Sequence, residues 1–136
     1  MSANTNDELV KNNWRLKEWF PDLDAVTLSQ LHAFFDLIIL HNKTKNLISP
    51  KTVQVADTLH FADSIIASQI IADDAPGLKS ISDFGSGNGF PGIVFALLYP
   101  DVQVSLVDSD ARKVEFLNQA ISSLGIANAK VISSAI

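Results

Sequence analysis

The sequence predicts an α/β protein in which helices come first and a parallel sheet follows, with three strands visible. Three observations carry this reading. Residues up to about 75 are dominated by apolar side chains at helical spacing. Short β-like runs then alternate with helix-like runs, an order that implies parallel strands joined by right-handed crossovers. Between the first such pair lies Asp83-Phe84-Gly85-Ser86-Gly87-Asn88-Gly89-Phe90-Pro91-Gly92, a glycine-rich strand-to-helix turn.

Taken in order, Thr5 or Asn6 is placed to cap a first helix, whose apolar face is Leu9, Val10, Trp14, Trp19 and Phe20. Pro21-Asp22 ends it. A second helix is predicted from Asp24 to His41, with Leu28, Leu31, Phe35, Ile38 and Ile39 on one face, followed by a polar loop over His41–Asn46. Trp14, Trp19 and Phe35 read as core residues. Ser49-Pro50 opens a third helical region reaching about Ile71, with a break near His60. Asp73–Gly77 is the clearest linker, and divides a helical region, 1–75, from an α/β region, 76–136. The α/β region is read as strand 78–83, helix 91–99, strand 102–107, helix 110–124 and strand 129–133, with Gly125 as a helix C-cap. The 78–83 strand should be innermost and the 129–133 strand outermost.

Composition narrows the function. The chain has 136 residues, no cysteine and a net charge of −5. Without cysteine there is no disulfide framework, no cysteine zinc site and no thiol nucleophile. The net charge argues against binding nucleic acid through bulk electrostatics, although Lys43, Lys45 and Lys51 cluster without an intervening acid. No metal site is predicted. The polar start, Met1–Asn13, lacks a signal-peptide core, and the apolar runs Phe34–Leu40 and Ile93–Tyr99 fall far short of the roughly 18 residues of a membrane span. A soluble, cytoplasmic protein is predicted.

The turn carries the chemical signal. Glycines let a ligand approach the backbone, and a turn between a strand and a helix is a ready cradle for a nucleotide-type ligand. A dinucleotide fingerprint would need glycine where this chain has Phe90, and no lysine follows the glycines as a P-loop would need. The form D-x-G-x-G-x-G resembles that of S-adenosylmethionine (SAM) enzymes. Asp108 ends the next strand at about the 20-residue spacing from which an acid accepts hydrogen bonds from ribose hydroxyls. Asp108 could instead cap the helix that follows, a task open equally to Ser109 or Asp110. His60 and Asp63, three apart on an expected helix, share a face and read by residue type as a hydrogen-bonded structural pair.

The chain resembles the RsmG/GidB family of small-subunit ribosomal RNA methyltransferases from about residue 24 to 134. The resemblance is carried by Gly85-Ser-Gly-Asn-Gly-Phe-Pro-Gly-Ile93, Leu106-Val-Asp-Ser109, Lys113-Val-Glu-Phe-Leu117, Asn42-Lys43 with Asn46-Leu47, and Leu59-His-Phe-Ala-Asp-Ser64. Leu59 stands where the family has arginine, and Ser134-Ala135-Ile136 where it usually has an arginine and then an acid. The resemblance implies part of a Rossmann-like SAM-dependent methyltransferase fold, apparently truncated at the carboxyl end, and methyl transfer from SAM to guanine N7 of small-subunit rRNA. It implies cofactor binding by Asp83, Gly85, Ser86, Gly87, Gly89, Phe90, Asp108 and Ser109. Asn42, Lys43, Asn46, His60 and Asp63 become candidates for contact with rRNA or the ribosomal subunit. N7 carries an exposed lone pair, so such a reaction needs positioning rather than a general base, and no catalytic residue is singled out. An alternative is a non-catalytic SAM-binding or partner-binding module. Three strands alone would leave the first with an unpaired edge, which favours self-association.

Overall fold

A computed structural model describes residues 13–135. The expected caps Thr5 and Asn6, with Leu9 and Val10, lie outside the described residues. What is described of the first helix is one turn, α1 (Leu16–Trp19). Leu16 is fully buried, but Trp19 is 41% exposed with the Arg15 guanidinium 4.8 Å over its ring, which corrects its reading as core.

Helix α2 (Ala25–Lys45) is capped by Asp24, whose carboxylate accepts from the Thr27 N–H at 2.7 Å. Leu31, Phe34, Phe35 and Ile38 form its buried stripe at helical spacing. The helix runs through the segment expected to be a polar loop. His41–Lys45 continue its turns, and Asn46 ends it in the left-handed conformation, its N–H bonded to the Asn42 carbonyl. Polar residues on the last turn of a helix carry no apolar period, so they read as loop.

The third helical region is three pieces: α3 (Pro50–Val53), a π-helical segment (Asp57–Ala62), and α4 (Asp63–Asp74). The break expected near His60 is this π-helical segment. The Leu78 N–H bonds to the Ala75 carbonyl in a turn, so strand β1 starts later than expected, at Ser80–Phe84. Then come α5 (Gly92–Leu98), β2 (Gln103–Asp108), α6 (Ala111–Leu124) and β3 (Ala129–Ser133). Gly125 caps α6 at φ 63°, as expected.

The sheet order is β1-β2-β3 and both pairings are parallel, as the sequence predicts. Register sets which face each side chain takes. Ile81, Val104 and Ala129 align across the sheet, as do Asp83, Leu106 and Val131, and these rows belong to the covered face. Val104 and Leu106 are buried in one core with Leu31, Phe34, Phe61, Phe95 and Phe116, so the helical region and the sheet share their interior. Phe84, Val107 and Ile132 align on the other face, where Phe84 is 66% and Ile132 39% exposed.

Candidate cofactor site

Backbone and side-chain hydrogen bonds together build the turn after β1. The Gly85 and Ser86 N–H groups donate to the Val107 carbonyl at 2.7 and 3.1 Å, which anchors the turn to β2. Ser86 is buried, and its hydroxyl donates to the Asp83 carbonyl at 2.7 Å. The Gly89 N–H donates to the Ser86 carbonyl, and a cis Phe90–Pro91 bond leads into α5.

The two central glycines serve different ends. Gly89 has φ 95°, and a Cβ there would stand 2.8 Å from both Phe34 Cζ and Ile93 Cγ1. The space a side chain would take there is occupied by core, so packing alone requires glycine at this position. Gly87, at φ 53°, meets nothing nearer than 3.7 Å, and its neighbours are the Gly85 carbonyl and the end of the Lys113 side chain. Of Gly87 and Gly89, only Gly87 has open space where a side chain would stand.

Asp108, 8% exposed, ends β2 beside the turn. Oδ2 accepts from the Gly87 N–H and Oδ1 from the Asp110 N–H, both at 2.8 Å. Burial pushes this carboxyl up, but the Asp110 and Gly87 N–H groups and the Lys113 charge outweigh it, so its pKa lies below the ordinary aspartate value. Each carboxylate oxygen has about two acceptor positions, so these bonds do not exhaust its capacity to accept. The capping of α6 falls to Asp110, which accepts from the Arg112 N–H at 2.9 Å; Ser109 is exposed and caps nothing. Asp83 turns its Oδ2 to the Gly92 N–H at 3.1 Å. Burial raises its pKa against the opposing pull of that bond and of Ser86.

The helical region closes one side. Phe90, expected at the cofactor, puts its ring among Phe34, Phe61 and His60, at centroid distances of 5.3, 4.9 and 5.1 Å. His60 lies nearly parallel to it, at 24°. Burial lowers the His60 pKa while Asp63 opposes the shift, and Nε2 is buried without a hydrogen-bond partner among the described residues. The expected His60–Asp63 hydrogen bond is not formed. His60 belongs to the π-helical segment, whose wider turns move residues three apart off a common face, and Asp63 is exposed.

Asn42 Oδ1 accepts from the Ile48 N–H at 2.9 Å, and Asn46 is the cap of α2, so both shape the chain after the helix. Lys43 is exposed there, whereas Lys45 reaches Glu115 of α6 at 3.5 Å. Sequence reasoning passed over Asn88, which bonds to the Leu47 carbonyl at 3.0 Å, and treated Lys113 only as part of a family block. Nothing in local periodicity marks either: the partner of Asn88 is 41 positions away, and Lys113 acts on Asp108 through its charge.

A β-α-β-α-β run with a glycine turn after β1 and an acid at the end of β2, preceded by helices, is part of a Rossmann-like methyltransferase fold. The chain belongs to the GidB family, described as rRNA small subunit methyltransferase G, which matches residues 27–136. It is 54% identical over 118 residues to ribosomal RNA small subunit methyltransferase G 3 of Bdellovibrio bacteriovorus, a match covering 87% of this chain and 53% of that protein. It is 35% identical to ribosomal RNA small subunit methyltransferase G of Halorhodospira halophila, covering 86% of this chain and 54% of the relative. The Neisseria gonorrhoeae protein of the same name is 36% identical, covering 83% and 53%. The chain therefore spans about half the length of the curated relatives it matches.

Proposed function

We propose that this chain supplies the helical and cofactor-binding portion of a SAM-dependent methyltransferase that acts in the cytoplasm on guanine N7 of small-subunit rRNA. The observation that carries the reading is the open backbone of Gly87, hydrogen-bonded to Asp108, in a chain of the GidB family. When bound, SAM supplies an activated methyl group. The turn from Asp83 to Phe90 would then hold the amino-acid end, with Gly85, Ser86 and Gly89 fixing its shape and Gly87 its point of approach. Asp108 would accept from the ribose through its remaining acceptor positions, with Ser109 exposed beside it. Lys43 suits a phosphate, Asn42 and Asn46 hold the segment that carries it, and His60 and Asp63 border the same side. Guanine N7 needs no base to attack a methyl group, so alignment is the main demand on these residues. Among the described residues one edge of β1 has no partner strand, and this edge and the exposed Phe84 support self-association of the chain.

The test is methyl transfer from labelled SAM to undermethylated small ribosomal subunits, using the chain joined to the remaining half of the Bdellovibrio relative. Label recovered as 7-methylguanosine is the expected result. Label on another nucleoside rejects the N7 assignment, and tighter calorimetric binding of NAD than of SAM rejects the cofactor.

A further inference from the structure

Asn88 stands in the middle of the glycine turn, between Gly87 and Gly89. Its side chain leaves the turn, and Nδ2 donates to the Leu47 carbonyl at 3.0 Å, 41 positions earlier in the chain. A carbonyl oxygen only accepts, so the amide nitrogen must face it. Leu47 lies in the connection between α2 and α3. The other hydrogen bonds that hold the start of this connection are local: Asn46 N–H to the Asn42 carbonyl, and Ile48 N–H to Asn42 Oδ1. Among the described residues, the Asn88 bond is the one hydrogen bond between the connection and the glycine turn. It bridges the cradle and the stretch of backbone next to the exposed Lys43.

We propose that Asn88 is a positioning residue that fastens the 46–49 connection to the glycine turn, so that occupancy of the turn and order in the connection are thermodynamically coupled. The coupling rests on the reading that the turn holds SAM; the fastening does not. A ligand that steadies the turn steadies the Leu47 carbonyl through Asn88. By linkage, an ordered connection tightens ligand binding by the same factor. The end of α2 that carries Lys43 would then be set in place when the methyl donor is bound.

Two variants test this. Asn88→Ala removes the side chain, while Asn88→Asp keeps its shape and replaces the donor by an oxygen. Amide hydrogen exchange is read at Ile48, with Leu106 in β2 as the reference, without and with S-adenosylhomocysteine, whose affinity is measured calorimetrically. In both variants Ile48 is expected to exchange roughly two- to tenfold faster than in the parent, the range of one neutral hydrogen bond, with Leu106 unchanged. S-adenosylhomocysteine is expected to slow Ile48 exchange in the parent and not in the variants. Equal Ile48 exchange in the unliganded parent and Asn88→Asp overturns the fastening. Binding to the parent with no change at Ile48 overturns the coupling. A parent that binds no S-adenosylhomocysteine overturns the cofactor reading and the coupling, while the unliganded comparison still decides the fastening.

Discussion

Removing the Asp108 carboxylate leaves the Gly87 and Asp110 N–H groups without their acceptor, whatever the carboxylate does for a ligand. Asp108→Ala is expected to weaken SAM binding by roughly 1 to 3 kcal/mol, the range for a lost hydrogen bond to a charged group, and to lower the urea midpoint as well. Calorimetry and urea titration on the same preparation check both; unchanged affinity removes the ribose role. Asp83 gives a pH dependence of the opposite kind. Burial raises its pKa, so the native state holds this proton more tightly than the unfolded state, and ionisation costs stability. That cost is present above the raised pKa and absent below the ordinary carboxylate value of about 3.9. Asp83→Asn keeps an oxygen for the Gly92 N–H and cannot ionise. Its stability relative to the parent is therefore expected to be greatest near pH 7 and to shrink as pH falls towards 4, read from urea midpoints. A constant difference would reject this account. At this scale the position of Asp108 was legible from its spacing after the glycines. Its bond to Gly87, the packing role of Gly89 and the inward turn of Phe90 were not, since each depends on a partner that only the folded chain brings near.

Among the elements, the π-helical segment is tied to the chain before α1 by one long-range ion pair, beside the packing of Phe61 in the core. Arg15 donates to Asp57 through Nε and a terminal nitrogen, both at 2.9 Å, and through its backbone N–H at 3.0 Å. The Asp57 side chain is fully buried, whereas that of Arg15 is 35% exposed. The two ends of this pair are therefore unequal. Arg15→Ala strands a buried carboxylate, while Asp57→Asn leaves an arginine that water still reaches. Arg15→Ala is expected to lower the urea midpoint further than Asp57→Asn; the reverse order would place the strength of the pair elsewhere. His60 lies in this segment, so its stacking on Phe90 should loosen in the same variant. The strands and helices of the α/β part were legible because turn chemistry and alternation mark them locally. For the π-helical segment a break near His60 was legible, but not its Arg15–Asp57 pair, whose members are 42 positions apart. Asn128 is similar: its buried amide donates to the carbonyls of Ala96, Tyr99 and Val102, and no motif announces it.

For the molecule as a whole, strand order was legible because right-handed crossovers leave little choice once three strands are joined by two helices. The shared core was not, since it joins side chains far apart in the sequence. The face carrying Phe84, Val107 and Ile132, next to a strand edge that has no partner among the described residues, is expected to bring copies of this chain together. Phe84→Lys should shift sedimentation towards the monomer, with a larger effect at higher protein concentration; no shift would place the contact elsewhere. The Ala75–Leu78 turn has a further consequence. Gly77 is exposed, and a Cβ there would meet nothing within 4 Å, so this is a natural place for a protease to reach the chain. Yet Phe34 packs on Phe90 and Phe116, and Lys45 reaches Glu115, all across that cut. Covalent continuity at Gly77 is thus separable from structural continuity. The two pieces would stay together as one particle, and complementation between separately made halves becomes a route to changing one without the other.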